Sequence, residues 1–285
     1  MTQGLVIPGP GAPPVLRDIQ PGPGELLDLV AAELLPLDLQ VARGQLPSVA
    51  VRDLRAGQVA VARRPDGSYV SVQAGRVGWG LGAPAGTFAT AFPPPSGAVV
   101  APLPDGLDPH LAAAGAASVL AAWLALEAAE CTPEDTVLVT GSAGAVGSAA
   151  VQLASSLGCR VLAHRRGLPV PAGASVVVDC AAGPALADIV RSAAPRARHV
   201  VVGYVADGLA TLALPLLLLG QLRLQGFNVY QVGEEAFVRA HAAALTDLAA
   251  GTVVVPEARL RTVPLSEAAR AYRAGERVLL VPDEE

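Results

Sequence analysis

Apolar and turn-forming residues alternate along this chain in two rhythms. Up to Leu107 the apolar runs are brief. Leu26–Ala32, Gln58–Ala62 and Tyr69–Gln73 have the length and composition of strands, with a turn at Pro65-Asp66-Gly67. This pattern predicts an irregular β domain. At Pro109 the rhythm changes. His110–Glu130 is rich in Ala and Leu, has no Gly after Gly115, and predicts a long helix. The strands expected next are Thr136–Thr140, Arg160–His164, Val176–Asp179, His199–Val205 and Leu222–Tyr230. Helices are expected at Ser148–Leu157 and Pro184–Ala193, the latter with Pro near its start, where the missing N–H costs least. Such alternation predicts a parallel sheet with crossovers, an α/β domain. Glu234–Ala250 reads as a helix with an acidic first turn, and the chain ends on a helix, Leu265–Arg273, and a strand, Arg277–Val281. Leu209–Leu219 is the longest apolar run; too short for a bilayer and interrupted by Pro215, it predicts a buried helical turn. The expected domains are 1–108 with 251–285, and 109–250.

With 52% apolar and 16% charged residues, the chain can bury a sizeable core. A net charge of −5 leaves no electrostatic footprint for nucleic acid or an anionic membrane. Every basic residue is Arg, which excludes Schiff-base chemistry on Lys. Cys131, Cys159 and Cys180 are odd in number and lack metal-ligand spacing, so reduced thiols in a cytoplasmic protein are expected. The first residues have neither the basic start nor the apolar run of a signal peptide.

The densest chemical signal is Val137–Gly147, VLVTGSAGAVG. A buried strand runs into Ser142-Ala143-Gly144-Ala145-Val146-Gly147, and a helix follows at once. Small residues allow a tight turn whose backbone N–H groups approach a pyrophosphate at the helix N-terminus. The alternative is a strand–helix turn with no ligand. At the end of the second strand, where an acid would select NAD, stand His164-Arg165-Arg166; Arg there suits the 2′-phosphate of NADP.

These stretches resemble the quinone oxidoreductase and enoyl reductase branch of the medium-chain dehydrogenase/reductase superfamily. The resemblance runs through Gly9–Gly44, Ala85–Ala89, Leu103-Pro104-Asp105-Gly106-Leu107, Thr136–Leu153 and Val263–Ala269. It implies a GroES-like β domain joined to a Rossmann-type domain. It also implies zinc-independent, NADPH-dependent reduction of an activated C=C bond or quinone, with hydride delivered in the cleft between the domains. The first domain has no Cys, which agrees with the absence of zinc on ligand grounds. The implied cofactor site adds Cys180, Gly203, Tyr204, Phe227 and Asn228 to the Gly turn and to His164–Arg166. Tyr204, Asn228 and Asp38 are the candidate catalytic groups; Tyr204 and Asp38 also have plain readings as turn residues, and Cys180 as packing at a strand end. His199 and His241 are expected at the surface. In relatives, the strand resembling Leu222–Tyr230 pairs across a two-fold axis, which implies a homodimer.

The chain departs from the family in several places. Leu35 stands where Asn precedes Asp38 by three residues. Ala74-Gly75-Arg76-Val77 replaces Gly-Asp-Arg-Val, and a family Glu falls near Leu54 or Asp53. Above all, only nine residues, Gly167–Ser175, separate the second strand from the third. A crossover carrying a helix needs at least about 10–12. The expectation is a shortened Rossmann domain with an extended, helix-free crossing to a parallel strand at Val176 and an adenine side left open. Redox-neutral cyclase or isomerase activity, or a non-enzymatic role, is the alternative.

Overall fold

The computed structural model describes residues 1–45, 52–74 and 86–283. The family-like positions Gly75–Val77 and Ala85 therefore lie outside the described residues. The chain divides into two compact units, Met1–Ala117 with Val255–Glu285, and Ser118–Val254.

The first unit is built from β strands. β1 (Gln3–Ile7) pairs antiparallel with β2 (Val15–Asp18) and β4 (Leu54–Arg55). A larger sheet has β3 (Leu27–Glu33), β5 (Val59–Arg63), β6 (Tyr69–Gln73) and β8 (Val99–Pro102) in that order, with β7 (Ala91–Phe92) also on β3. The end of the chain completes this sheet: β15 (Leu279–Val281) pairs with β3, and β14 (Thr262–Pro264) with β15. Leu5, Ile7, Leu27, Leu29, Phe88, Phe92 and Leu280 share one core. The short helix α1 (Pro36–Ala42) adds Val41 and Ala42 to it.

Helix α2 (Pro109–Ala128) contains the division between the two units, after Ala117. By length and composition it is apolar enough to cross a membrane, but 67% of its apolar window is buried inside the protein. The second unit carries five parallel strands in the order β10 (Arg160–Ala163), β9 (Thr136–Thr140), β11 (Val176–Asp179), β12 (Arg198–Val201), β13 (Arg223–Gly226). A doubly wound sheet has the order 3-2-1-4-5-6. Here the position beyond the second strand is missing, so β10 is an edge.

The crossing from β10 to β11 contains no helix, as its length requires. It takes over the packing a helix would supply. Val170 and Ala174 cover the sheet face made by Leu138, Leu162 and Val177, beside Ile189 of α4 (Leu186–Ser192). Both ends of the crossing are pinned. The His164 ring lies 3.0 Å from the Leu168 carbonyl, and the Gly173 N–H donates to the Ser192 carbonyl at 2.8 Å. At the foot of the sheet the Ser175 hydroxyl donates to Asp135 at 2.7 Å, and Arg198 pairs with the same carboxylate.

Four expectations fail. The fourth strand, expected over His199–Val205, ends at Val201. The Leu209–Leu219 run is not buried: its helix, α5 (Leu214–Gly220), has no buried residue, and Leu209, Leu214, Leu218 and Leu219 are 70–82% exposed. Apolar composition signalled burial, but among the described residues nothing covers that face. The fifth strand spans only Arg223–Gly226, because Asn228 accepts the Tyr230 N–H and turns the chain into a 3₁₀ turn at Val229–Gln231. His199 and His241 are buried, not superficial. His199 lies within an inner strand. His241 lies on the inward face of α6 (Glu234–Ala249), where burial lowers its pKa to about 4.

Candidate functional site

The Gly-rich turn leaves β9 at Gly141, whose φ of +59° is a left-handed conformation suited to glycine. The Gly144 N–H donates to the Gly141 carbonyl at 2.8 Å and closes the turn. Gly144 is then the N-cap of α3 (Ala145–Ser156), in extended conformation and without a side-chain cap. The first-turn N–H groups of a helix lack intrahelical acceptors. No acidic residue occupies that first turn, and Ala143 and Gly144 are exposed. An anion can therefore reach these donors and the positive end of the helix dipole. Gly147 has a separate job: a Cβ there would lie 2.3 Å from the Gly141 oxygen, so its absence lets α3 seat on the turn. A Cβ at Gly144 would stand 3.1 Å from the same oxygen, tight but nearer to tolerable. The Ser142 hydroxyl donates to the His164 carbonyl at 3.0 Å and ties the turn to the end of β10.

At that end His164 is buried and occupied with Leu168, which makes it a support for the crossing. Arg165 and Arg166 are exposed, and their side chains form no hydrogen bond or ion pair among the described residues. They are the free cations beside the turn.

A buried polar network, which the sequence reading missed, supports the next wall of the site. The Thr140 hydroxyl and the His199 ring both bond Asp179, the latter at 3.1 Å. The same Asp179 carboxylate accepts the N–H groups of Ala181 and Ala182, while Thr140 Oγ1 accepts that of Cys180. Burial works to raise the Asp179 pKa, but the hydrogen bonds from His199, Thr140 and Ala182 outweigh it and hold the pKa below the ordinary value. The network fixes the Cys180–Ala182 loop against Gly141, whose absent Cβ would lie 3.5 Å from the Cys180 side chain. Strand register brings Thr140 and Asp179 together: they are direct partners across parallel strands.

Cys180 is half-buried, and burial pushes its thiol up to about 12, so it packs and does not react at neutral pH. Gly203 follows β12 and comes close to the same loop; a Cβ there would meet the Cys180 carbonyl at 3.0 Å. Tyr204 is 52% exposed at the start of the next loop. The Phe227 N–H donates to the Val201 carbonyl at 2.9 Å, and Asn228 is exposed just beyond. Thus Ser142–Gly147, Cys180, Gly203 and Phe227 all lie at the C-terminal ends of parallel strands, the edge at which open α/β sheets bind ligands. Asp38 belongs to the first unit, is 2% exposed, and accepts the Leu35 N–H at 2.9 Å at the start of α1. Burial first, then neighbouring Glu33, lifts its pKa to about 8. So sealed, it acts as a structural acceptor. Among the described residues no group of three or more His, Cys, Asp or Glu is placed to hold a metal ion.

The chain shares its fold with solved dehydrogenases and oxidoreductases. An alcohol dehydrogenase superfamily protein from Novosphingobium aromaticivorans superposes with a TM-score of 0.83 at 21% identity, covering 99% of this chain and 100% of its own. The YhdH oxidoreductase from Salmonella enterica, solved in complex with NADP, gives 0.75 at 19% identity over 99% and 100%. The quinone oxidoreductase from Thermus thermophilus, solved also with NADPH, gives 0.71 at 24% identity over 98% and 99%. No family model and no curated protein matches the chain.

Proposed function

We propose that this protein is a zinc-independent, NADPH-dependent reductase of an activated C=C bond or a quinone. The observation that carries the reading is the uncapped, exposed α3 N-terminus at Gly144 beside two free arginines, Arg165 and Arg166. The turn offers backbone donors to a pyrophosphate, and the arginines offer charge to a 2′-phosphate. Solved proteins of the same fold in complex with NADP or NADPH support the choice of cofactor. When bound, the dinucleotide supplies the hydride. The chain's part is to hold it: Ser142–Gly147 at the pyrophosphate, Arg165 and Arg166 at the phosphate, and the Asp179-braced loop, Gly203 and Phe227 along the strand ends. Tyr204 and Asn228 are the exposed proton-donor candidates on the loops that follow β12 and β13. The expected partners are a small molecule and a second copy of the chain, in the cytoplasm.

The missing outer strand favours a second reading, in which the dinucleotide binds weakly and the reaction is redox-neutral. Titration with NADPH followed by fluorescence, together with NADPH oxidation by quinones and enones, separates the two. Binding with oxidation supports the reductase; no binding at millimolar cofactor removes it. A charge-assisted Arg–phosphate contact is worth about 1.5–3 kcal/mol. Arg165→Ala should therefore weaken NADPH by about tenfold or more and leave NADH nearly unchanged. Equal losses for both cofactors would show that Arg165 does not read the phosphate.

A further inference from the structure

Arg55 closes β4 in the first unit and is the one buried arginine among the described residues, at 8% exposure. Two half-buried arginines have carboxylates, Arg259 with Glu33 and Arg198 with Asp135; a third, Arg64, has no ion pair among the described residues but is less buried than Arg55. Arg55 has no carboxylate. Among the described residues its side chain forms no hydrogen bond or ion pair, and its Nε is sealed from solvent without a partner. Burial lowers its pKa, with no carboxylate near enough to counter the effect. Asp53, the nearest acid in sequence, is exposed and bound to Arg17 at 3.1 Å. Outside the described residues the only acids are Glu284 and Glu285 at the end of the chain.

A buried guanidinium with no anion destabilises a fold. Its planar fork of donors matches a carboxylate or a phosphate, and of the guanidinium nitrogens only Nε is both sealed and unpartnered. We propose that Arg55 is the anchor for an anionic group, a carboxylate or phosphate, on the substrate taken by the first unit. This deepens the reductase reading, on which the word substrate rests, but the anion site itself needs no nicotinamide.

The test is thermal unfolding of the full chain, wild type and R55M, in sodium chloride and in inorganic phosphate or crotonate at equal ionic strength. Removing an unpaired buried charge for an apolar chain of similar length should raise the melting temperature of R55M above wild type in chloride. Wild type should gain a few degrees in about 50 mM of the anion it accepts, by mass action. R55M should lack that gain. Phosphate stabilises many proteins by exclusion from their surface, so only the difference between the two proteins counts. A larger gain in crotonate identifies a carboxylate; a larger gain in phosphate, a phosphoryl group. A melting temperature of R55M below wild type in chloride, or equal anion shifts in both proteins, overturns the assignment. R55Q keeps polarity without charge and gives a second reading: it too must lose the anion shift, and an undiminished shift overturns the proposal. NADPH binding, measured separately, reports on the reductase reading alone.

Discussion

Three single residues show how much chemistry rests on small differences in contact. Gly144 and Gly147 look alike in the sequence, yet the space around them differs. A methyl at Gly147 would collide with the Gly141 carbonyl at 2.3 Å, so Gly147→Ala should cost about 1–3 kcal/mol or more of stability, read by urea unfolding. Gly144→Ala should fold with a smaller loss and weaken dinucleotide binding, because its methyl stands on the exposed anion approach. Equal stability losses in the two would show that the division of labour is wrong. Asp38 is the third. Its pKa rises from about 3.8 unfolded to about 8 folded, so the folded state holds the proton more tightly between those values. Its contribution is fully present below the lower value and is lost as pH rises through about 8. Asp38→Asn keeps an acceptor for Leu35 and cannot ionise. Its advantage over wild type should be smallest below about pH 3.8, grow as pH rises between that value and about 8, and level off near pH 9; parallel stability curves would count against a buried neutral carboxyl.

Among elements, the β10–β11 crossing is the one the sequence announced most clearly. Chain length forbade a helix, and Pro169 and Pro171 favoured extended backbone. The sequence did not announce that the crossing would serve as a cover, since that depends on which side chains meet Leu138 and Val177 in space. Val170→Asp should therefore destabilise the second unit by about 1–3 kcal/mol, whereas Leu168→Asp, at a position 60% exposed, should be nearly neutral. Similar losses at both would mean that the crossing does not pack. The strands and helices flanking the Gly turn were legible because periodicity and turn chemistry agree there. The α5 leucines misled because hydrophobicity signals a wish for burial without saying what supplies the cover. The buried Thr140–Asp179–His199 network was illegible for a related reason. Its three members stand 20 to 59 positions apart, and only strand register unites them.

At the scale of the whole molecule, the exposed α5 leucines adjoin in sequence an open strand edge at β13, where Arg223 is tied to Glu130 through two 2.9 Å contacts. An apolar face beside an unpaired edge is an aggregation hazard unless a partner covers it. Two copies related by a two-fold axis present the same face to each other, so a homodimer is the expected state. Light scattering at micromolar concentration should give twice the chain mass, and the double variant L218E/L219E should give the monomer mass with little change in melting temperature. A monomeric wild type would exclude the dimer. The division of the chain has a further consequence, for the ribosome. The second unit is one continuous stretch, Ser118–Val254, whereas the first unit lacks β14 and β15 until Val255–Glu285 has been made. Nascent chains usually acquire their domains from the N-terminus onward. This one must finish its second unit first, holding the Ala32–Glu33 end of β3 without its β15 partner throughout that time. Stalled chains carrying residues up to Val254 outside the exit tunnel should yield a protease-resistant second unit and a digestible first one.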